Sequence, residues 1–107
     1  MSETKENKIT VDFVIEQKAK IEKLIKRAKM DLEFLRENIK NIETPIERRT
    51  ESQQEEPKTI AKIELLRKAL VRIEYNNYGK CRGCGEEIQT NRLKALPTTE
   101  HCTKCAK

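Results

Sequence analysis

VIEQKAKIEKLIKRAKMDLEFLRENIKNIETPIE, residues 14–47, carries a stripe that steps alternately by four and three residues. It runs through Val14, Lys18, Ile21, Ile25, Ala28, Leu32, Leu35, Ile39, Ile42 and Ile46, and every position except Lys18 is apolar. Such a stripe is the narrow seam of a coiled coil, with Val14 at d and Lys18 at a of the heptad. No Gly or Pro interrupts it before Pro45, so a first helix is predicted over about Val11 to Asn41. Thr44, Pro45, Ile46 and Glu47 then read as the start of a second helix. Thr44 can cap it, Pro at the first helical position loses no needed N–H, and Glu47 can reach back to complete a capping box. The chain is therefore expected to reverse between Asn41 and Thr44.

A second seam follows at Ile63, Leu66, Leu70 and Ile73, and Asn76, Asn77, Tyr78 and Gly79 then supply a stop. The second helix is predicted over about Pro45 to Tyr75. Two arms of about 31 residues, each ~46 Å at 1.5 Å per residue, joined by a short connection, favour an antiparallel hairpin. Residues 47–59, ERRTESQQEEPKT, have no apolar seam and contain Pro57, which disturbs a helix interior. A loop over 43–57, with the helix beginning at Pro57, is the alternative there. A homo-oligomeric coiled coil is the alternative to the hairpin; the two matched seams and the reversal between them favour a monomer.

With 107 residues, 36% apolar, 38% charged and 4% aromatic, the chain has little material for a thick core. It needs a long packing seam, a staple, or both. The formal charge of +5 is spread out: ten bases face eight acids in residues 1–42, seven face seven in 43–75, and six face three in 76–107. A solvated surface of mixed charge accounts for this without a dedicated nucleic-acid patch. The amino-terminal MSETKENK is polar and no apolar run has the length of a signal or membrane span. A soluble, cytoplasmic protein with no membrane contact is expected. Enzymatic activity is not expected, since there is one histidine, no phosphate-cradling glycine loop and no carboxylate pair set in an apolar stretch.

Cys81-Arg-Gly-Cys84 and Cys102-Thr-Lys-Cys105 each place two thiolates on a tight knuckle. One tetrahedral zinc ion can close both pairs, and four protein ligands leave no open position, which marks a structural site. In a reducing compartment, two disulfides or four buried thiols are the less favoured readings. Gly83 and Gly85 suit the sharp turn of the first knuckle. His101 could replace Cys102 as a ligand, but both pairs are complete without it, so it reads as a surface residue. Arg82, Arg92, Lys94 and Lys104 give the alternative of a zinc-ribbon nucleic-acid binder, and the heptads that of a coiled-coil adaptor.

The run YGKCRGCGEEIQTNRLKALPTTEHCTKC, Tyr78 to Cys105, resembles the zinc finger of the DksA/TraR family of bacterial and phage transcription regulators. The resemblance rests on the Gly before the first cysteine, Cys-x-x-Cys-Gly, Ile88, Arg92-Leu93, Ala95, Pro97 and the final cysteine pair. NIETPIERR, residues 41–49, is similar to a degenerate form of the acidic tip of such hairpins. The resemblance implies a regulator that binds RNA polymerase, with its hairpin in the secondary channel, and that does not read DNA sequence. It places Thr44, Glu47 and Arg49 at the partner-facing tip. Family members bind the alarmone ppGpp through basic residues at the positions held here by Leu96 and Ala106, so weak or absent ppGpp binding is expected.

The expected fold is thus mainly α: a flexible amino terminus over 1–10, a long antiparallel coiled-coil hairpin over 11–77 with its tip near 41–49, and a four-cysteine zinc finger over 78–107.

Overall fold

A computed structural model describes residues 9–106 of the chain. Helix α1 spans Val11–Lys40, α2 spans Ile46–Glu74, and a short α3 spans Thr90–Ala95. The two long helices pack against each other, and the molecule is a rod with extents of 61 × 28 × 23 Å. The first ten residues were expected to form a flexible tail. Residues 1–8 of it lie outside the described residues; Ile9 packs on the core and Thr10 caps α1.

Helix α1 begins where Thr10 Oγ1 accepts the Phe13 amide at 3.1 Å, with Asp12 in the positive first turn. Its buried face is Phe13, Gln17, Ile21, Ile25 and Ala28. The predicted stripe holds from Ile21 to Ile39 but not at its ends: Ile42 and Ile46 face solvent at the tip, and at the start Lys18 is exposed while Gln17 takes the inward position. The reason is geometric. Near its base α1 faces α2 and the cysteine module together, so its buried face broadens toward Phe13 and Gln17, beyond a two-helix seam.

Helix α2 is continuous from Ile46, so the expectation of a helix over residues 47–58 holds and the loop alternative does not. Pro57 removes one donor, which leaves the Gln53 carbonyl unpaired within the helix. Gln53 is exposed, so solvent can take that carbonyl. In this half polar contacts replace an apolar seam. Ser52 is buried and accepts from Asn38 Nδ2 at 3.2 Å, and Arg36 Nε lies 2.9 Å from Glu56 Oε2. Toward the base the seam becomes apolar through Ile63, Leu66 and Ala69. The helix ends as read: Asn76 adopts φ 61° and the Asn77 amide turns back onto the Arg72 carbonyl at 2.7 Å.

The start of α2 differs from the expected capping box. The first turn has no side-chain cap, and Pro45 stands at the cap position. The reversal is held by Asn41 instead. Its Oδ1 accepts the Glu43 amide at 2.9 Å and its carbonyl accepts the Thr44 amide at 3.1 Å, a turn that Asn forms readily.

One apolar core joins the hairpin base to the cysteine module: Phe13, Ile21, Ile25, Leu66 and Ala69 from the helices meet Tyr78, Cys81, Ile88 and Leu93. Ile88 and Leu93 are fully buried. Gly79, at φ +86°, lies where any Cβ would run into the Ile9 side chain.

Candidate metal centre and hairpin tip

Each cysteine pair is shaped by backbone hydrogen bonds. In the first knuckle the Cys81 amide donates to the Glu86 carbonyl at 2.8 Å, Gly85 donates back to the Cys81 carbonyl at 2.9 Å, and the Gly83 amide points at Cys81 Sγ at 3.3 Å. A Cβ on Gly83 would lie 2.9 Å from Cys105 Sγ, so glycine is needed there for clearance. Gly85 has open space at its Cβ but adopts φ +79°, so conformation is what favours glycine at that position. In the second knuckle the amides of Cys105 and Ala106 both donate to the Cys102 carbonyl, at 3.1 and 2.9 Å. The Arg82 amide donates to the Glu100 carbonyl at 2.8 Å and ties the two knuckles together.

The four sulfurs of Cys81, Cys84, Cys102 and Cys105 lie within 4.8 Å of one another, and Cys84 Sγ is 3.8 Å from Cys102 Sγ. Zn–S bonds of about 2.3 Å in a tetrahedron put sulfurs about 3.8 Å apart, whereas a disulfide needs about 2.05 Å. All four are free cysteines, and the donor set suits one zinc ion. Their protonation pulls in opposite directions. Amide hydrogen bonds, those of Cys102 and Cys84 foremost, hold Cys81 down to about 5. Hydrogen bonds with the other thiols, Cys81 first, push Cys105 up to about 12. Four thiols this close cannot all ionise without a cation among them, and thiolate coordination by a divalent ion supplies it. His101 is exposed and stands outside the cysteine group. Its carbonyl accepts from Arg92 Nε at 2.9 Å.

Two polar networks fasten the module to the hairpin. Gln17 Nε2 donates to Tyr78 Oη at 3.0 Å and to the Leu93 carbonyl at 2.9 Å, and Tyr78 Oη donates to the Pro97 carbonyl at 2.9 Å. Burial raises the Tyr78 hydroxyl above its ordinary value. The second network centres on Glu100, whose carboxylate meets Arg82 at 2.8 Å and Arg72 at 3.2 Å. The Arg82 hydrogen bond, with the two positive charges, holds Glu100 below the usual carboxylate range. Arg82 and Arg92, read as candidate phosphate contacts, are thus already engaged, while Lys104 stays exposed. Neither network was anticipated from the sequence. The neighbouring position in the heptad was the only signal for Gln17.

At the opposite end, Glu47 is exposed, Thr44 is half-buried, and Arg49 turns inward. Arg49 Nη2 donates to the carbonyls of Ile42, Thr44 and Asn41 at 2.9, 3.2 and 3.3 Å. Ile42 and Ile46 project outward, 86% and 69% exposed, so the tip surface is apolar as well as acidic.

Residues 76–107 match the model of the prokaryotic dksA/traR C4-type zinc finger. An uncharacterised protein of Aquifex aeolicus is 49% identical over 47 residues, 44% of this chain and 32% of that protein. The RNA polymerase-binding transcription factor DksA of Haemophilus influenzae is 28% identical over 93 residues, covering 78% of this chain and 62% of its own length. Its Escherichia coli namesake is 44% identical over 50 residues, 47% of this chain and 31% of that protein. The chain thus spans between about a third and three fifths of the length of these relatives. The transcription factor DksA2 of Pseudomonas aeruginosa shares the fold, with a TM-score of 0.56 at 23% identity over 87% of this chain and 74% of that one. A helical hairpin, four converging cysteines at its base and a matching zinc-finger sequence come together here: residues 76–107 are a C4-type zinc finger of the dksA/traR kind, holding one structural zinc ion.

Proposed function

We propose that the protein is a non-enzymatic transcription regulator that binds bacterial RNA polymerase and reaches into its secondary channel with the hairpin tip. The observation that carries this is the shape: a rod of 61 Å whose zinc module and apolar core lie at one end and whose exposed tip lies at the other. Such a rod can deliver the tip of a two-helix arm into a narrow opening while the base stays outside. The relatives named RNA polymerase-binding factors support the choice of partner. Cys81, Cys84, Cys102 and Cys105 serve as the zinc ligands and keep the base rigid. Thr44, Glu47 and Arg49 form the tip, with Glu47 facing the partner and the other two shaping the turn behind it.

The protein acts in the cytoplasm, where the polymerase is, and no helix among the described residues is long and apolar enough to cross a membrane. It works as a monomer, because the seams that would pair two copies face each other within one chain. Sequence-specific DNA contact plays no part, and ppGpp binds weakly or not at all, since Leu96 and Ala106 offer no charge for phosphate. Fluorescence anisotropy with core polymerase tests the proposal. Saturable binding that weakens in Glu47→Lys supports it; absence of binding alongside salt-sensitive binding to DNA or RNA would replace it with the nucleic-acid alternative.

A further inference from the structure

We propose that Arg49 is a positioning residue, stapling the 41–45 turn from inside so that Ile42 and Glu47 meet the partner in a fixed arrangement. The polymerase reading above supplies the identity of that partner; the staple itself is a property of the free protein.

Beyond the two hydrogen bonds that Asn41 accepts, the turn has little else to hold it. The apolar core lies at the base, and Ser52, the buried residue nearest the tip, is polar. Leu35 and Ile39 are only half-buried, Ile42 and Ile46 face solvent, and α2 begins without a side-chain cap. Into this gap comes one guanidinium. Its Nη2 sits among the carbonyls of Asn41, Ile42 and Thr44, where α1 ends and its dipole is negative. These contacts span the reversal from the first turn of α2 back to the end of α1. Arg49 Nε is buried and has no hydrogen-bond partner, so the side chain is oriented by the carbonyl contacts at the cost of one unmet donor. All three contacts come from one nitrogen, so reach matters as well as charge: a lysine ammonium is a compact point charge on a flexible stem that ends one bond short of Nη2.

The test compares wild type, Arg49→Ala and Arg49→Lys, all zinc-loaded, with two readouts. The first is amide exchange by NMR at Glu43 and Thr44, whose N–H groups bond to Asn41. The second is affinity for core RNA polymerase. Arg49→Ala is expected to speed exchange at both amides by about tenfold, the effect of losing one charge-assisted hydrogen bond. Zinc content and exchange in Ile63–Ala69 should not change, and polymerase affinity should fall by a similar factor. Arg49→Lys should leave the turn loose and the affinity low. Unchanged exchange in Arg49→Ala overturns the staple. A loosened turn with full affinity, or full affinity restored by lysine while the turn stays loose, overturns the positioning role in favour of simple charge or none. Failure of wild type to bind polymerase removes the partner and with it the positioning claim, and the exchange data still decide the staple.

Discussion

The buried amide of Gln17 gives the sharpest energetic prediction. Gln17→Leu keeps the volume and removes the donor shared between Tyr78 Oη and the Leu93 carbonyl. The Leu93 carbonyl is left without that donor inside the core, and a stranded acceptor costs about 1–3 kcal/mol. Tyr78 keeps its bond to the Pro97 carbonyl, so its share is small. Tyr78→Phe strands one Gln17 hydrogen, while the half-buried Pro97 can recover a partner from solvent, for a cost of about 1–2 kcal/mol. The double variant loses the Gln17–Tyr78 bond once rather than twice, so the two losses should fall short of additivity by about 1 kcal/mol. Urea unfolding at fixed zinc concentration measures this. With m of about 1–3 kcal/mol/M, a loss of about 2 kcal/mol moves the midpoint by roughly 1 M. The network is uncharged, so the shifts should not depend on salt. Strict additivity, or single losses below about 0.5 kcal/mol, would refute the claim that this network fixes the module to the hairpin.

Zinc chelation should unfold residues 78–105 and also raise hydrogen exchange in Phe13–Ile25, because the module is one wall of their core; unchanged circular dichroism and protease resistance would contradict this. Leu93→Ala, at a fully buried position, should cost about 2–5 kcal/mol in the same unfolding assay. Glu100→Gln weakens the contacts with Arg72 and Arg82 and should cost about 1–2 kcal/mol, with faster exchange at the Arg82 amide as a local readout. The Tyr78 hydroxyl titrates higher folded than unfolded, so its contribution is complete below its ordinary value of 10.0 and is lost as pH rises from there through the folded value. That alkaline loss should be absent in Tyr78→Phe.

Much of this architecture was legible because it rests on local periodicity. The stripe from Ile21 to Ile39, the Asn-rich stop after Tyr75 and the paired cysteines each announce their structure over a few residues. What escaped depends on contacts distant in sequence. Gln17 displaced Lys18 because the base of α1 meets residues 61 and 76 positions away, which a heptad drawn for two helices does not include. The polar seam at Ser52 and Asn38 left no apolar pattern to find, so a loop over 43–57 stood as the alternative to a continuous helix through Pro57. At the tip, Thr44 and Glu47 matched a capping pattern, but Asn41 and Arg49 satisfied the turn instead. The short helix Thr90–Ala95, too brief for a periodic signal, is set by burial of Leu93.

The most direct measurement is a photo-crosslink from position 47 of the zinc-loaded protein in complex with bacterial core RNA polymerase. Glu47 is exposed, so a crosslinker there need not disturb the hairpin. Crosslinks to polymerase elements around the active centre are predicted, and they should disappear when excess unlabelled protein competes. Crosslinks confined to the outer surface of the enzyme, or none under conditions where the fold and zinc content are intact, would contradict the proposed function.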